Sequence, residues 1–124
     1  MEIPYVEPEI HRNVRRLIDS ASRHDIAGMQ GMLDLGISVD AATSSHRNAL
    51  MTAVQKGHLA VVQFLLDRGA GVNRADLYGM TPLSIACFKS NRAEIFPMVK
   101  LLLENGADPS IADNNGCTAM CYLF

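Results

Sequence analysis

A helical pair recurs along this chain at a spacing of 33 residues, and that recurrence restricts the fold more than any single motif does. The clearest copy runs from Asn48 to Asp76, NALMTAVQKGHLAVVQFLLDRGAGVNRAD. Asn48 can cap the first helix through its side-chain oxygen, and Leu50, Ala53 and Val54 follow at helical spacing. Lys56-Gly57-His58 breaks that helix, and a second one carries Leu59, Val62, Leu65 and Leu66 on one face. Gly69 stops it, because a residue without Cβ takes the left-handed position after a helix cheaply. Two helices this short cannot bury their apolar stripes against each other alone, so the unit requires neighbours.

The neighbours are in the sequence. Moved 33 residues toward the C-terminus, Asn48-Ala49-Leu50-Met51 falls on Thr81-Pro82-Leu83-Ser84, and Ala53 on Ala86. Moved 33 residues the other way, Gly69-Ala70-Gly71-Val72-Asn73 falls on Gly36-Ile37-Ser38-Val39-Asp40, and Leu50 on Leu17. Gly79-Met80-Thr81 returns as Gly116-Cys117-Thr118, now 37 residues away. The segments GMTPLSIA, KGHLAVVQFLLDRGAGVN and VKLLLENGADPS resemble ankyrin repeats, and the resemblance runs from about Val14 to the C-terminus. It implies an all-α solenoid of helix-turn-helix units joined by short β-hairpin-like loops.

The expected division is a leader over 1–9, a first repeat over 10–42, a second over 43–75, a third over 76–112 and the start of a fourth over 113–124. The leader holds Pro4 and Pro8 and has no periodicity. In the first repeat Ile10, Val14, Leu17, Ile18 and Ala21 are helical in spacing, and a second helix is expected over Ile26 to Leu35 despite Gly28 and Gly31. It lacks the Thr-Pro start and has His24-Asp25 in place of Gly57-His58, as suits an N-terminal cap. Arg12, Arg15, Arg16 and Arg23 are read as a solvated outer face, with a basic docking patch as the alternative. In the second repeat His46 stands where the third has the turn glycine Gly79, a position that favours φ > 0. By resemblance His58 braces the loop between helices.

The third repeat has Thr81 as cap and Pro82 at the first helical position, where its missing N–H costs nothing. Four extra residues fall between Ala86 and Val99 and are expected in the inter-helix loop, with Pro97 opening the second helix. Ile95 and Phe96 are expected to tuck over the core, the alternative being that they stand ready for a partner. The fourth repeat stops at Phe124 with Met120, Tyr122, Leu123 and Phe124 mostly apolar. A half repeat cannot close a core, so the expectation is a chain cut from a longer protein, the alternative a C-terminal end packed against something.

Composition bounds the function. The chain suffices for one domain, and at a net charge of -2 it lacks the basic field behind non-specific nucleic-acid affinity. No apolar run approaches the roughly 18 residues of a membrane span, and no signal-peptide pattern opens it. Three cysteines, Cys87, Cys117 and Cys121, form no disulfide framework and read as reduced thiols of an intracellular protein, cytoplasmic or nuclear. Cys117 and Cys121 have no second pair or histidine at zinc spacing, so no metal and no cofactor are expected. No glycine-rich phosphate loop and no framed nucleophile occur, so the chain is not expected to be an enzyme.

What remains is protein recognition. The resemblance implies contacts at hairpin tips and on the solvent side of the first helices, on the concave face. The matching positions are Ser44, Ser45, Arg47, Gln55 and Lys56 in the second repeat, and Leu77, Tyr78, Met80, Phe88 and Lys89 in the third. Asn114, Asn115 and Cys117 match in the fourth. Four of the five positions in the third repeat are apolar, and contiguous exposed apolar groups mark interaction sites. The alternative is that Leu77 and Tyr78 fold onto neighbouring hairpins and the insertion covers Phe88. Asn73 resembles the asparagine that intracellular oxygenases hydroxylate in ankyrin repeats, although Gly71 replaces the acidic residue common there. The expected function is an adaptor or targeting module that binds a partner protein or peptide. The alternatives are a regulatory or substrate-recruiting segment of a larger enzyme, or a spacer.

Overall fold

The computed structural model describes residues 9–88 and 92–123, and the expectations for the leader, Lys89 and Phe124 lie outside them. Among the described residues there are seven helices and no strands, the order being α1 Glu9–Ser22, α2 Ile26–Asp34, α3 Ala49–Lys56, α4 Leu59–Asp67, α5 Pro82–Phe88, α6 Arg92–Glu104 and α7 Ala119–Leu123. None of these helices is long and apolar enough to cross a membrane. The first helices of successive units pack on one another, α1 on α3, α3 on α5 and α5 on α7, while α4 packs on α6 in a second layer.

Local signals place the helix ends. The Asn48 side chain accepts the Met51 N–H at 3.0 Å, and Gly57 closes α3 at φ 76°. Asp25 caps α2 by accepting the Gly28 N–H at 2.9 Å. In α5 the Thr81 hydroxyl accepts the Ser84 N–H at 3.3 Å, so Pro82 begins the helix where no donor is missed. His58 reaches back to the first unit, its Nε2 lying 3.0 Å from the Ser22 carbonyl oxygen, with the His24 ring edge-on at 5.4 Å. This is the bracing role that the resemblance implied.

One continuous core runs through the stack. Leu17, Met29, Leu50, Met51, Val61, Val62, Leu65 and Leu102 are fully buried in it. Leu59 does not belong to the inward face as its spacing suggested. It is 39% exposed, and Val61 takes the inward place.

The insertion also differs from expectation. α6 has 13 residues against 9 in α4, so four extra residues appear as one more turn of helix rather than as loop. Four residues are close to the 3.6 of a turn, which keeps the apolar stripe in register. Ile95, Met98, Val99 and Leu102, at i, i+3, i+4 and i+7, all face the core. Pro97 therefore lies inside the helix instead of opening it, and costs it one backbone hydrogen bond. Ile95 tucks inward, but Phe96 falls off the stripe and is 71% exposed.

Candidate functional site

Three hairpins of nearly identical build present the candidate residues. In each, a backbone N–H reaches four residues ahead: Thr43 to the Arg47 carbonyl at 2.9 Å, Asp76 to Met80 at 3.0 Å and Asp113 to Cys117 at 2.8 Å. Asp76 Oδ1 accepts from the Tyr78 and Met80 N–H groups, and Asp113 Oδ1 accepts from Asn115 and Cys117 in the same way. The turn residue is left-handed in all three, with φ 60° at His46, 79° at Gly79 and 78° at Gly116. Histidine is among the residues that tolerate this region best, so the missing glycine does not change the tip.

Adjacent tips are fastened together. The Leu77 N–H donates to the Ser45 carbonyl at 3.0 Å, and the Asn114 N–H to the Tyr78 carbonyl at 2.9 Å. The Asn114 side chain adds a bond from Nδ2 to the Leu77 carbonyl at 2.8 Å. With their backbones held in this way, Leu77 and Tyr78 project outward, 56% and 68% exposed. They do not fold onto the neighbouring hairpins. Phe88 ends α5 and is 64% exposed, with one edge against the Tyr122 ring at 5.3 Å. Met80 departs from the expectation of an outward apolar group, being half-buried against the core.

The polar candidates divide between structure and surface. Arg47 is an interlock: its guanidinium lies 3.4 Å from Asp76 Oδ2 and donates to Gln55 Oε1 at 2.6 Å. Gln55, Lys56, Asn115 and Ser44 are exposed, and Ser45 and Cys117 are half-buried. Asn114 is exposed, yet its amide is engaged by the preceding tip. Asn73 is exposed and joins two units, its Nδ2 donating to the Gly106 carbonyl at 3.1 Å while Oδ1 accepts from the Asp108 N–H at 2.8 Å. One unit earlier Asp40 does the same work, accepting the Gly71 N–H at 2.9 Å and pairing with Arg74 at 3.1 Å.

Tyr122 was not among the expected site residues, although it lies beside the apolar group. Its hydroxyl donates to Asp113 Oδ2 and its ring backs Phe88. The signal was the period itself, since Tyr122 stands 37 residues after Ile85, an inward position. The hydrogen bond to Asp113 pushes the Tyr122 phenol up to about 12, while the same bond and the backbone donors hold the Asp113 carboxyl below its usual range. Burial pushes the Cys87 thiol up. Among the described residues no group of three metal-ligating side chains converges, and Cys87, Cys117 and Cys121 are in no disulfide.

Comparison with known proteins places this geometry. The family model of ankyrin repeats (3 copies) matches residues 17–113. The "Ankyrin repeat, SAM and basic leucine zipper domain-containing protein 1" of Microcebus murinus is 36% identical over 99 residues, covering 79% of this chain and 20% of that protein. The protein of the same name from Otolemur garnettii is 37% identical over 99 residues, covering 79% and 21%. "Serine/threonine-protein kinase 12" of Arabidopsis thaliana is 35% identical over 104 residues, covering 84% and 22%. The chain thus spans about a fifth of the length of these relatives.

Proposed function

Because this chain belongs to the ankyrin-repeat family, whose members are generally protein-interaction modules, we propose that it recognises a partner protein or peptide as an adaptor or targeting module. The contact surface in this reading is the third unit, with Leu77, Tyr78 and Phe88 as apolar anchors. Gln55, Lys56 and Asn115 are exposed polar residues of the two neighbouring units. The observation that carries it is the outward exposure of these three large apolar side chains, Leu77 and Tyr78 on a tip bonded to both neighbouring tips and Phe88 at the end of α5 against Tyr122. Large apolar groups on rigid backbone surrounded by polar residues have the character of binding hot spots. The chain itself is read as non-catalytic, and as acting inside the cell because its three cysteines form no disulfide framework in the sequence.

Affinity capture tests this reading. A Leu77→Ser, Tyr78→Ser variant leaves the core untouched, and adding Phe88→Ala removes the third anchor. A partner held by the original chain and lost by a variant of equal helicity supports the surface. Equal capture by both refutes it. A second reading, a regulatory or substrate-recruiting segment of a larger enzyme, draws on the likeness to the Arabidopsis protein named as a kinase. Finding no catalytic region in the full open reading frame would discard it. Asn73 remains a candidate for hydroxylation, and its exposure supports access. The absence of an added oxygen on its peptide, by mass spectrometry of protein made in animal cells, would remove it.

A further inference from the structure

We infer that a basic groove on the first two units, between α1 and α3, binds a short acidic segment of a partner protein. The groove has a volume of about 700 Å³, the size of a site for a few side chains. Arg12, Arg15 and Arg16 line it from α1 at i, i+3 and i+4, which puts them on one side of the helix. Ser22, Thr43 and Thr52 line it with hydroxyls, Asp19 with a carboxylate and Ile18 with an apolar side chain.

The charge balance selects the ligand. Among the described lining residues three are cationic and one, Asp19, is anionic, in a chain whose net charge is -2. Asp19 is engaged by Arg23 at 3.2 Å and Arg15 has a partner of its own, so the site rests on Arg12 and Arg16. The hydroxyls of Thr43 and Thr52 are turned to Ser45 and to the Asn48 carbonyl, leaving the facing wall polar but uncharged. Arg16 donates to the buried Asn13 side chain at 3.3 Å, which fixes its direction while spending one of five N–H donors. Planar guanidinium groups bind carboxylates in pairs of parallel hydrogen bonds. Carboxylates flanking one apolar residue match guanidinium groups beside Ile18. A nucleic acid fits less well, because the molecule as a whole repels a polyanion.

This inference rests on the reading of the chain as a protein-binding module, but it concerns the arginines of the first unit rather than the apolar anchors of the third. Its test is fluorescence anisotropy with a labelled short peptide in which glutamates flank a central leucine. The expected result is saturable binding that weakens with salt and is about tenfold or more weaker when the glutamates are replaced by glutamine. Arg12→Glu with Arg16→Glu lowers affinity by a similar factor. Thr52→Glu does so too, placing a carboxylate on the far wall without touching the arginines, and it decides the matter if the arginine variant fails to fold. Equal binding of the glutamine peptide, unchanged binding by the folded variants, or equal binding of a single-stranded oligonucleotide would overturn the inference. Loss of partner capture in the Leu77, Tyr78 variant is independent of all three, so the two readings fail separately.

Discussion

Gly79 and Gly116 occupy the same left-handed turn position, yet replacing each by alanine should have different costs. Their φ angles, 79° and 78°, carry nearly the same conformational penalty for a residue with Cβ. That penalty is about 1–2 kcal/mol, partly offset by a stiffer unfolded chain, and leaves roughly 1 kcal/mol for Gly116→Ala. Nothing lies within 4 Å of a Cβ at Gly116. At Gly79 the new atom meets Asn114 Oδ1 at 2.7 Å, Asn114 N at 2.9 Å and Asp113 Cα at 3.0 Å. Two of these are backbone atoms, so the next hairpin must move. Moving it breaks the Asn114 N–H bond to Tyr78 and the Nδ2 bond to Leu77, each worth about 1 kcal/mol. The expected losses are therefore about 3 kcal/mol for Gly79→Ala and about 1 for Gly116→Ala. Urea denaturation followed by far-ultraviolet circular dichroism reads both, provided the slope of free energy against urea is unchanged. Equal losses at the two positions would refute the argument that the tips are packed and bonded to one another. His46→Gly supplies the converse check: relief of the left-handed strain and the added freedom of the unfolded chain nearly cancel, so its effect stays within about 1 kcal/mol.

Asn73→Ala removes an acceptor from Asp108 and a donor from Gly106 and should cost about 1–2 kcal/mol, whereas Asn73→Asp keeps the acceptor and loses less; urea midpoints measure both. Leu65→Ala, at a fully buried site, should cost about 2–5 kcal/mol, against 1 or less for Leu59→Ala on the exposed edge of the same helix. The Tyr122–Asp113 bond makes stability pH-dependent at both extremes. The Asp113 contribution is present above the ordinary carboxylate range near 3.9 and is lost as pH falls through its lower folded value, while that of Tyr122 is present below about 10 and lost as pH rises toward about 12. Tyr122→Phe should abolish the alkaline limb, and an unaltered midpoint-against-pH curve in that variant would contradict the bond.

The repeat was legible because each stop and cap has a local cause. Asn48 before Leu50, Gly57 before His58 and Thr81 before Pro82 carry their own backbone chemistry, and the helices start and end where they predict. The extra turn of α6 was harder. Its evidence, Ile95, Met98, Val99 and Leu102 at helical spacing, was in the sequence, but Pro97 argues locally for a helix start and only the burial of Ile95 outweighs it. At the site, exposure of Leu77, Tyr78 and Phe88 followed from the period. Pairings between units did not, because which partner Arg47 or Asn114 meets depends on how far one hairpin lies from the next. Met80 was misplaced for a related reason. A side chain next to a tip can lean outward or inward, and the core beneath it decides.

The joints between units also give this protein a mechanical character. Asp40 fastens Gly71, Leu77 fastens to Ser45, Asn73 fastens Gly106 and Asp108, and Asn114 fastens Tyr78, so the units are linked in series. Because each unit in such a stack contacts only its neighbours, a pull applied along it is carried by every joint in turn. The stack behaves as springs end to end: it stretches by small openings shared among the joints and yields first at the softest one. Closure can then restart from the unit still standing beside the break.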